Sequence, residues 1–297
     1  MKVAETIAAL REQLAEAKQQ NIRSGKSARV GFVPTLGYMH EGHLSLIRRA
    51  RNECDIVVVS VFVNPLQFGK NEDFDKYPRD RERDIQLAEQ AGTDFVFIPD
   101  VSEMYPQPFR TKVIVSGITD VLCGASRPGH FEGVATVVSK LFNIVQPDRA
   151  YFGQKDAQQV AVIEQMTRDL NIPVQIVPCP TVREPDGLAM SSRNVYLSPE
   201  ERRQAVVLSQ ALAQTDRWLR EPGMTVERLK QHIREHIATA PLAVIDYVEV
   251  VTYPSLEPVT SMEQMDGRQP ILIALAVKFG ATRLIDNRIL FLEQNGR

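Results

Sequence analysis

The stretch Ile56-Val57-Val58-Val59-Ser60-Val61-Phe62-Val63 constrains this chain more than any other. Apart from Ser60 it is apolar, and most of it is β-branched. A run without polar alternation reads as a strand covered on both faces, as in a parallel sheet. It is far shorter than the ~20 residues that cross a bilayer. The segments around it switch between two periods. Helical spacing appears at Ile7, Leu10 and Leu14, at Leu44, Ile47 and Ala50, across the charged segment 79–91, at Val134, Val137, Val138 and Leu141, and across 158–170. Short apolar runs appear at 30–33, 95–98, 149–152 and 174–177. Strands separated by helices imply βαβ units, and ligands of such sheets bind beyond the carboxyl ends of the strands.

The pattern changes after Pro178, Pro180, Pro185 and Gly187. Ser198-Pro199-Glu200-Glu201 is a helix start, with Ser198 as cap, Pro199 at the first position and Glu201 closing a capping box. Leu208, Leu212 and Leu219 continue that helix, and Thr225 caps another with Leu229, Ile233 and Ile237 on one face. Strands are expected at 245–251, 271–277 and 290–292. The expected architecture is a Rossmann-like parallel sheet with helices on both faces over residues 1–181, then a smaller α+β domain over 182–297. A length of 297 residues agrees with more than one domain, at ~100–200 residues each.

Charge and cysteine content narrow the function. Lysine and arginine number 35 against 37 acidic residues, so the net charge is −2. A chain that binds nucleic acid through bulk positive charge is excluded, although a small basic site is not. The first 20 residues carry Glu5, Arg11, Glu12, Glu16 and Lys18 and so lack a signal-peptide core. Cys54, Cys123 and Cys179 are an odd number without close pairs, which fits a reduced, cytoplasmic protein. No membrane or nucleic-acid partner is expected.

Five segments carry the chemistry. Leu36-Gly37-Tyr38-Met39-His40-Glu41-Gly42-His43 follows an expected strand and opens an expected helix, where free amides attract phosphate. His40 and His43 share a helical face, and neutral imidazoles there can donate to charge growing on a phosphate. Gly187-Leu188-Ala189-Met190-Ser191-Ser192-Arg193-Asn194 offers two hydroxyls and a guanidinium to a polyphosphate. Phe152-Gly153-Gln154-Lys155-Asp156-Ala157-Gln158-Gln159 is another strand-to-helix turn, with Lys155 as its cation. In Phe62-Val63-Asn64-Pro65-Leu66-Gln67-Phe68-Gly69, Asn64 and Gln67 can pair with a carboxylate or hydroxyl, or else stabilise the turn. Arg127-Pro128-Gly129-His130-Phe131 adds Arg127 and His130, as ligand contacts or as surface charge and capping. Gly25-Lys26-Ser27 resembles a P-loop end, but Gln20 stands where the earlier glycine is required, so that motif is rejected. His232 and His236, four apart, flank an apolar stripe rather than form a metal site.

Together, and in this order along the chain, these segments resemble the pantoate–β-alanine ligase (pantothenate synthetase) family. His40-Glu41-Gly42-His43 and Met190-Ser191-Ser192-Arg193 resemble the HIGH and KMSKS signatures of the wider nucleotidyltransferase superfamily. The resemblance implies an ATP domain, a smaller C-terminal lid domain and a homodimer. It implies that pantoate is activated by ATP as pantoyl adenylate and then condensed with β-alanine, releasing AMP and pyrophosphate, with Mg²⁺ as counter-ion. By resemblance, His40, His43, Lys155 and Arg193 are catalytic, with His43 at the proton-donor position. The nucleotide contacts would be Leu36 to His43, Gly153, Gln154, Lys155, Asp156, Val182, Met190, Ser191, Ser192 and Arg193. Gln67 and Gln159 would clamp pantoate, with Asn64, Arg127, His130 and Tyr77 in second rank, and Gln67 would also reach β-alanine. The sequence departs from the family at Leu36, Gln154, Ala157 and Arg83. No metal ligand is assigned, although Asp84 is a candidate. The alternative is another small-molecule nucleotidyltransferase of the same superfamily.

Overall fold

A computed structural model of the chain describes residues 1–69 and 72–291. In chain order the strands are β1 (Lys2–Ala4), β2 (Val30–Thr35), β3 (Ile56–Val61), β4 (Phe95–Phe97), β5 (Arg149–Gly153), β6 (Gln175–Cys179), β7 (Ala243–Thr252), β8 (Ile271–Phe279) and β9 (Thr282–Leu290). The helices are α1 (Ile7–Arg23), α2 (Glu41–Glu53), α3 (Arg81–Gln90), α4 (Val101–Met104), α5 (Cys123–Ser126), α6 (His130–Val145), α7 (Ala157–Asp169), α8 (Pro199–Ala205), α9 (Val207–Leu219) and α10 (Val226–Ile237). Short 3-10 turns cover Pro65–Gln67, Gln154–Asp156 and Ser192–Tyr196.

Two compact units emerge. The first comprises Met1–Ser116, Arg127–Gln154 and Val162–Pro180, and the second Gly117–Ser126, Lys155–Ala161 and Thr181–Arg297. The first unit holds a six-stranded sheet in the order β1-β4-β3-β2-β5-β6, with every pair parallel. Val57, Val58 and Val59 of β3 are fully buried, as their uninterrupted apolar run requires. Each such side chain contributes roughly 1.5–3 kcal/mol by leaving water. The chain builds outward from β2 on one side through β3 and β4, then returns to add β5 and β6 on the other. Loops after β2 and β5 therefore leave the sheet at its topological switch point, where open α/β sheets bind ligands.

The second unit is built on the antiparallel sheet β7-β8-β9. Period-two alternation in β8 sends Ile271, Ile273, Leu275 and Val277 into a core with Leu208 and Leu212 of α9 and Leu229, Ile233 and Ile237 of α10. Leu272 and Ala274 belong to a second cluster with Val251, Leu256, Ala157 and Ala161. That packing is why the start of α7 groups with this unit. Gln158 adds to it: its Oε1 accepts from the Cys123 amide at 2.9 Å, and its Nε2 donates to the carbonyls of Ile118 at 3.0 Å and Val121 at 2.7 Å. The expected division at residue 181 left both segments, 117–126 and 155–161, in the first domain.

Two expected elements differ from the structure, and one strand was not expected. The helix beginning after Ser198 has the expected capping box but breaks at Val206 into α8 and α9. The third C-terminal strand lies at Thr282–Leu290, not at 290–292, of which Leu292 falls outside the described residues. β1 is an additional edge strand beside β4. All three cysteines are buried and free. Among the described residues no helix is long and apolar enough to cross a membrane.

Candidate active site

In the first unit the turn after β2 is held from below by one carboxylate. Asp84 on α3, 1% exposed, accepts from the Tyr38 amide at 2.7 Å and the Met39 amide at 2.6 Å. Burial pushes its carboxyl up, against those two amides, which favour the charged form. Gly37 has φ +84°, and a Cβ there would lie 2.8 Å from the Asp84 carboxylate and from Val61, so only glycine fits this turn. Arg83 donates to the Met39 carbonyl at 2.9 Å and lies over the Tyr38 ring. Asp84, the candidate metal ligand, clamps this turn through one accepted amide on each carboxylate oxygen. The amides of Tyr38 and Met39, two residues of the expected nucleotide segment, are both bonded to Asp84.

What this helix start presents instead is a pair of imidazoles. His40 is the N-cap of α2, and its Nδ1 accepts from the Gly42 amide at 3.2 Å. His43 accepts at Nδ1 from the His40 amide at 3.3 Å, closing a capping box made of two histidines. An accepting Nδ1 places the ring proton on Nε2. The rings lie 4.1 Å apart between centroids. The local backbone therefore fixes both tautomers as Nε2–H donors. Glu41 is exposed and paired with Arg48, whose hydrogen bond and charge keep its carboxyl below the usual range.

The turn after β3 is a second preset donor. Asn64 is fully buried, and its Nδ2 donates to Gln67 Oε1 and to the Gly133 carbonyl, both at 3.1 Å. Its Oδ1 accepts from the Tyr105 hydroxyl at 2.7 Å and the Leu66 amide at 3.3 Å. Burial pushes the Tyr105 hydroxyl well above its ordinary range, so it stays a donor. These four bonds stabilise the turn and orient Gln67. With Oε1 occupied, Gln67 offers its NH₂.

A charged chain stands behind the same turn. Arg127 grips Glu72 with two bonds of 2.7 and 2.6 Å and donates to His130 Nε2 at 3.0 Å. His130 Nδ1 in turn donates to the Gln67 carbonyl at 2.8 Å. Burial alone would raise the Glu72 carboxyl, but the bonds and charge of Arg127 outweigh it and hold it low. Tyr77 is buried, edge-on to Phe68. Sequence reasoning missed Gly133, on which the turn depends. A Cβ there would sit 2.2 Å from the Leu66 carbonyl oxygen. The available signal was a lone glycine inside a strongly apolar helix.

Gly153 ends β5 in the first unit, and a Cβ on it would meet nothing within 4 Å, leaving open space there. Gln154 begins the 3-10 turn that follows. In the second unit, Lys155 and Asp156 continue that turn, with the lysine ammonium 3.9 Å from the Asp156 carboxylate. Gln159 lies in the first turn of α7, half-buried. Val182 and Met190 face each other across a hairpin, joined by the Met190 amide and the Val182 carbonyl at 3.0 Å. Ser191 caps the following 3-10 turn by accepting from the Arg193 amide at 3.3 Å, and Ser192 is buried. This unit thus carries the cations Lys155 and Arg193 on two separate turns.

Comparison with known proteins places the chain among similar sequences and folds. The family model described as Pantoate-beta-alanine ligase matches residues 2–289. Pantothenate synthetase of Acetivibrio thermocellus is 60% identical over 261 residues, covering 88% of this chain and 91% of that protein. That of Pelotomaculum thermopropionicum is 56% identical over 290 residues, covering 98% and 99%. The crystal structure of pantothenate synthetase from Thermus thermophilus aligns with a TM-score of 0.87 at 47% identity, over 97% of this chain and 99% of that one. The pantoate-β-alanine ligase from Francisella tularensis, complexed with β-γ ATP and β-alanine, aligns with a TM-score of 0.77 at 33% identity, over 97% of each.

Proposed function

This chain belongs to the pantoate–β-alanine ligase family, and we infer that it condenses pantoate with β-alanine using ATP, through a pantoyl adenylate. One observation carries the mechanism: the two-histidine capping box that sets both rings as Nε2–H donors at the end of a central parallel strand. A pantoate carboxylate oxygen attacks the α-phosphorus of ATP, and the bond to the bridging oxygen breaks to release pyrophosphate. Negative charge grows on phosphate oxygens as this happens, and preset donors stabilise it without reorganising. His40 and His43 supply such donors, with His43 at the proton-donor position. Lys155, Ser191, Ser192 and Arg193 neutralise and hold the triphosphate, and Gly153 leaves room for the nucleotide.

The Gln67 NH₂, aimed by Asn64, and Gln159 fix the pantoate carboxylate and hydroxyl groups. The β-alanine amine then attacks the acyl carbon, and AMP leaves with the former carboxylate oxygen as pantothenate forms. Mg²⁺ would act as counter-ion to the triphosphate, since it keeps several waters and binds phosphate oxygens. Three unpaired cysteines fit a reducing cytoplasm. A homodimer is proposed by family membership, and light scattering near the single-chain mass would overturn it.

The test is stoichiometry. With pantoate, β-alanine, ATP and Mg²⁺, AMP and pyrophosphate should appear one-to-one with pantothenate, and pyrophosphate should exchange into ATP only when pantoate is present. Production of ADP and phosphate would sink the adenylate route. His43→Ala should lose far more turnover than ATP affinity, because its donor acts on charge that develops in the transition state.

A further inference from the structure

Asp286 and Asn287 lie side by side on β9, paired with Leu275 and Ala274 of β8. Neighbouring residues of a strand point to opposite faces. Each of these two grips a different phosphate-site segment of the same unit. The Asp286 side chain, 1% exposed, receives both arms of Arg183, at 2.6 and 2.9 Å. Arg183 also donates to the Gly187 carbonyl at 3.1 Å, across the turn of its own hairpin. That hairpin closes with a bridge between Arg183 and Ala189 and leads directly into Met190-Ser191-Ser192-Arg193. On the other side, Asn287 Nδ2 donates to the backbone carbonyl of Lys155 at 2.8 Å. Asp286 Oδ1 accepts from the Asn287 amide at 2.8 Å, which ties the two grips together.

We propose that Asp286, Arg183 and Asn287 form a positioning relay that sets the Lys155 turn and the 190–193 loop at one fixed spacing for the ATP triphosphate. The proposal rests on the assignment of those two segments to the triphosphate. A buried carboxylate is an expensive way to stabilise a small sheet, since desolvation offsets most of its ion-pair energy. Its hydrogen bonds here go to a turn and to the next residue's amide, which fixes geometry. Both ends of the relay sit on one strand, so any shift of β9 moves the two phosphate segments together. The relay acts on adenylation and leaves amide formation untouched, because pyrophosphate has left before β-alanine reacts.

The test separates the half-reactions in Asn287→Ala, Asp286→Asn and Arg183→Lys, each assayed about 15 °C below its own melting temperature so that folding losses of a few kcal/mol do not intrude. Pantoate-dependent exchange of pyrophosphate into ATP should fall about 10–100-fold in Asn287→Ala and Asp286→Asn, the scale expected for a misplacement near 1 Å. The KM for ATP should rise while that for pantoate stays within about twofold. Arg183→Lys, which keeps the charge but not the fork, should fall between these variants and wild type. Release of AMP from preloaded enzyme after β-alanine addition should be unchanged. Unchanged exchange in folded Asn287→Ala, or an equal fall in both half-reactions, would overturn the relay. Asn287→Ala decides the matter if Asp286→Asn does not fold. Lys155→Ala is the control: no effect on exchange there refutes the phosphate assignment itself, whereas a strong effect beside a silent Asn287→Ala refutes the relay alone.

Discussion

The turns proposed to meet substrate in the first unit and those in the second are built in opposite ways. In the first, the groups proposed to meet substrate are two imidazoles and a glutamine amide, each oriented by a hydrogen bond through Nδ1 or Oε1. Charge there stays behind the turns, in Asp84 and in the Glu72–Arg127 pair. In the second unit the groups proposed to meet substrate include the cations Lys155 and Arg193, and the neutral Asn287 holds the Lys155 backbone. Directional donors suit an attacking carboxylate and a transition state, which demand geometry. Cations suit a triphosphate, which demands neutralisation.

The largest expected effect that tests this contrast comes from Gly133→Ala. Its Cβ would meet the Leu66 carbonyl at 2.2 Å and the Gln67 amide nitrogen at 2.6 Å, so the Gln67 turn must move. A displacement near 1 Å should lower kcat/KM for pantoate about 100-fold. ATP binding, measured by titration, should barely change. A variant with normal pantoate kinetics would remove the Gln67 turn from the site. Next comes Asp84→Asn, which replaces one accepting oxygen with an NH₂ facing a backbone N–H. One unsatisfied amide costs about 1–3 kcal/mol. The melting temperature should drop, and kcat should fall about tenfold as His40 and His43 lose their platform. Wild-type turnover in that variant would show that the imidazoles do not need the preset turn.

Smaller effects sharpen the same contrast. Raising salt from about 50 to 300 mM shortens the range of exposed charges and should raise the KM for ATP about two- to fivefold. The KM for pantoate should stay flat if amides hold it, and equal sensitivity of both constants would erase the distinction. The smallest effect concerns acid. Because the folded Glu72 carboxyl is held low, its stabilisation is present above its unfolded pKa near ~4.3 and is lost as pH falls through the lower folded value. Glu72→Gln should therefore melt below wild type at neutral pH and converge with it in acid. Parallel melting curves from pH 7 to pH 3 would show that the pair contributes nothing.

The sequence made most of the first unit legible because its strands are unbroken apolar runs, Val57 to Val59 above all, and runs of that kind survive any tertiary context. The strand β1 escaped because Lys2–Ala4 is short, and its first two residues are exposed. β9 was misplaced because three consecutive polar residues, Asp286, Asn287 and Arg288, interrupt its apolar positions, so no run stands out. Two of those polar residues, Asp286 and Asn287, belong to the proposed relay, so the least legible strand is the one on which that proposal rests. At the site, residue types were readable and hydrogen-bond partners were not. Asn64 and Gln67 are three apart in sequence, but that one is saturated and the other presented depends on Gly133 and Tyr105, far along the chain. Asp84 was visible as an acid in the cluster after Tyr77, and only the fold shows that it binds two amides.

The three buried cysteines have a practical consequence. Burial pushes the Cys54 and Cys179 thiols up, and Cys123 is enclosed as well. Reactive thiolate is therefore scarce on the native chain, and alkylating dyes should find little to modify. A single thiol introduced by Val195→Cys, at a position 57% exposed in the turn just beyond Arg193, would then be the natural attachment point for a fluorophore. The molecule is thus ready-made for optical reporting of the loop proposed to bind phosphate, with no background cysteines to remove first.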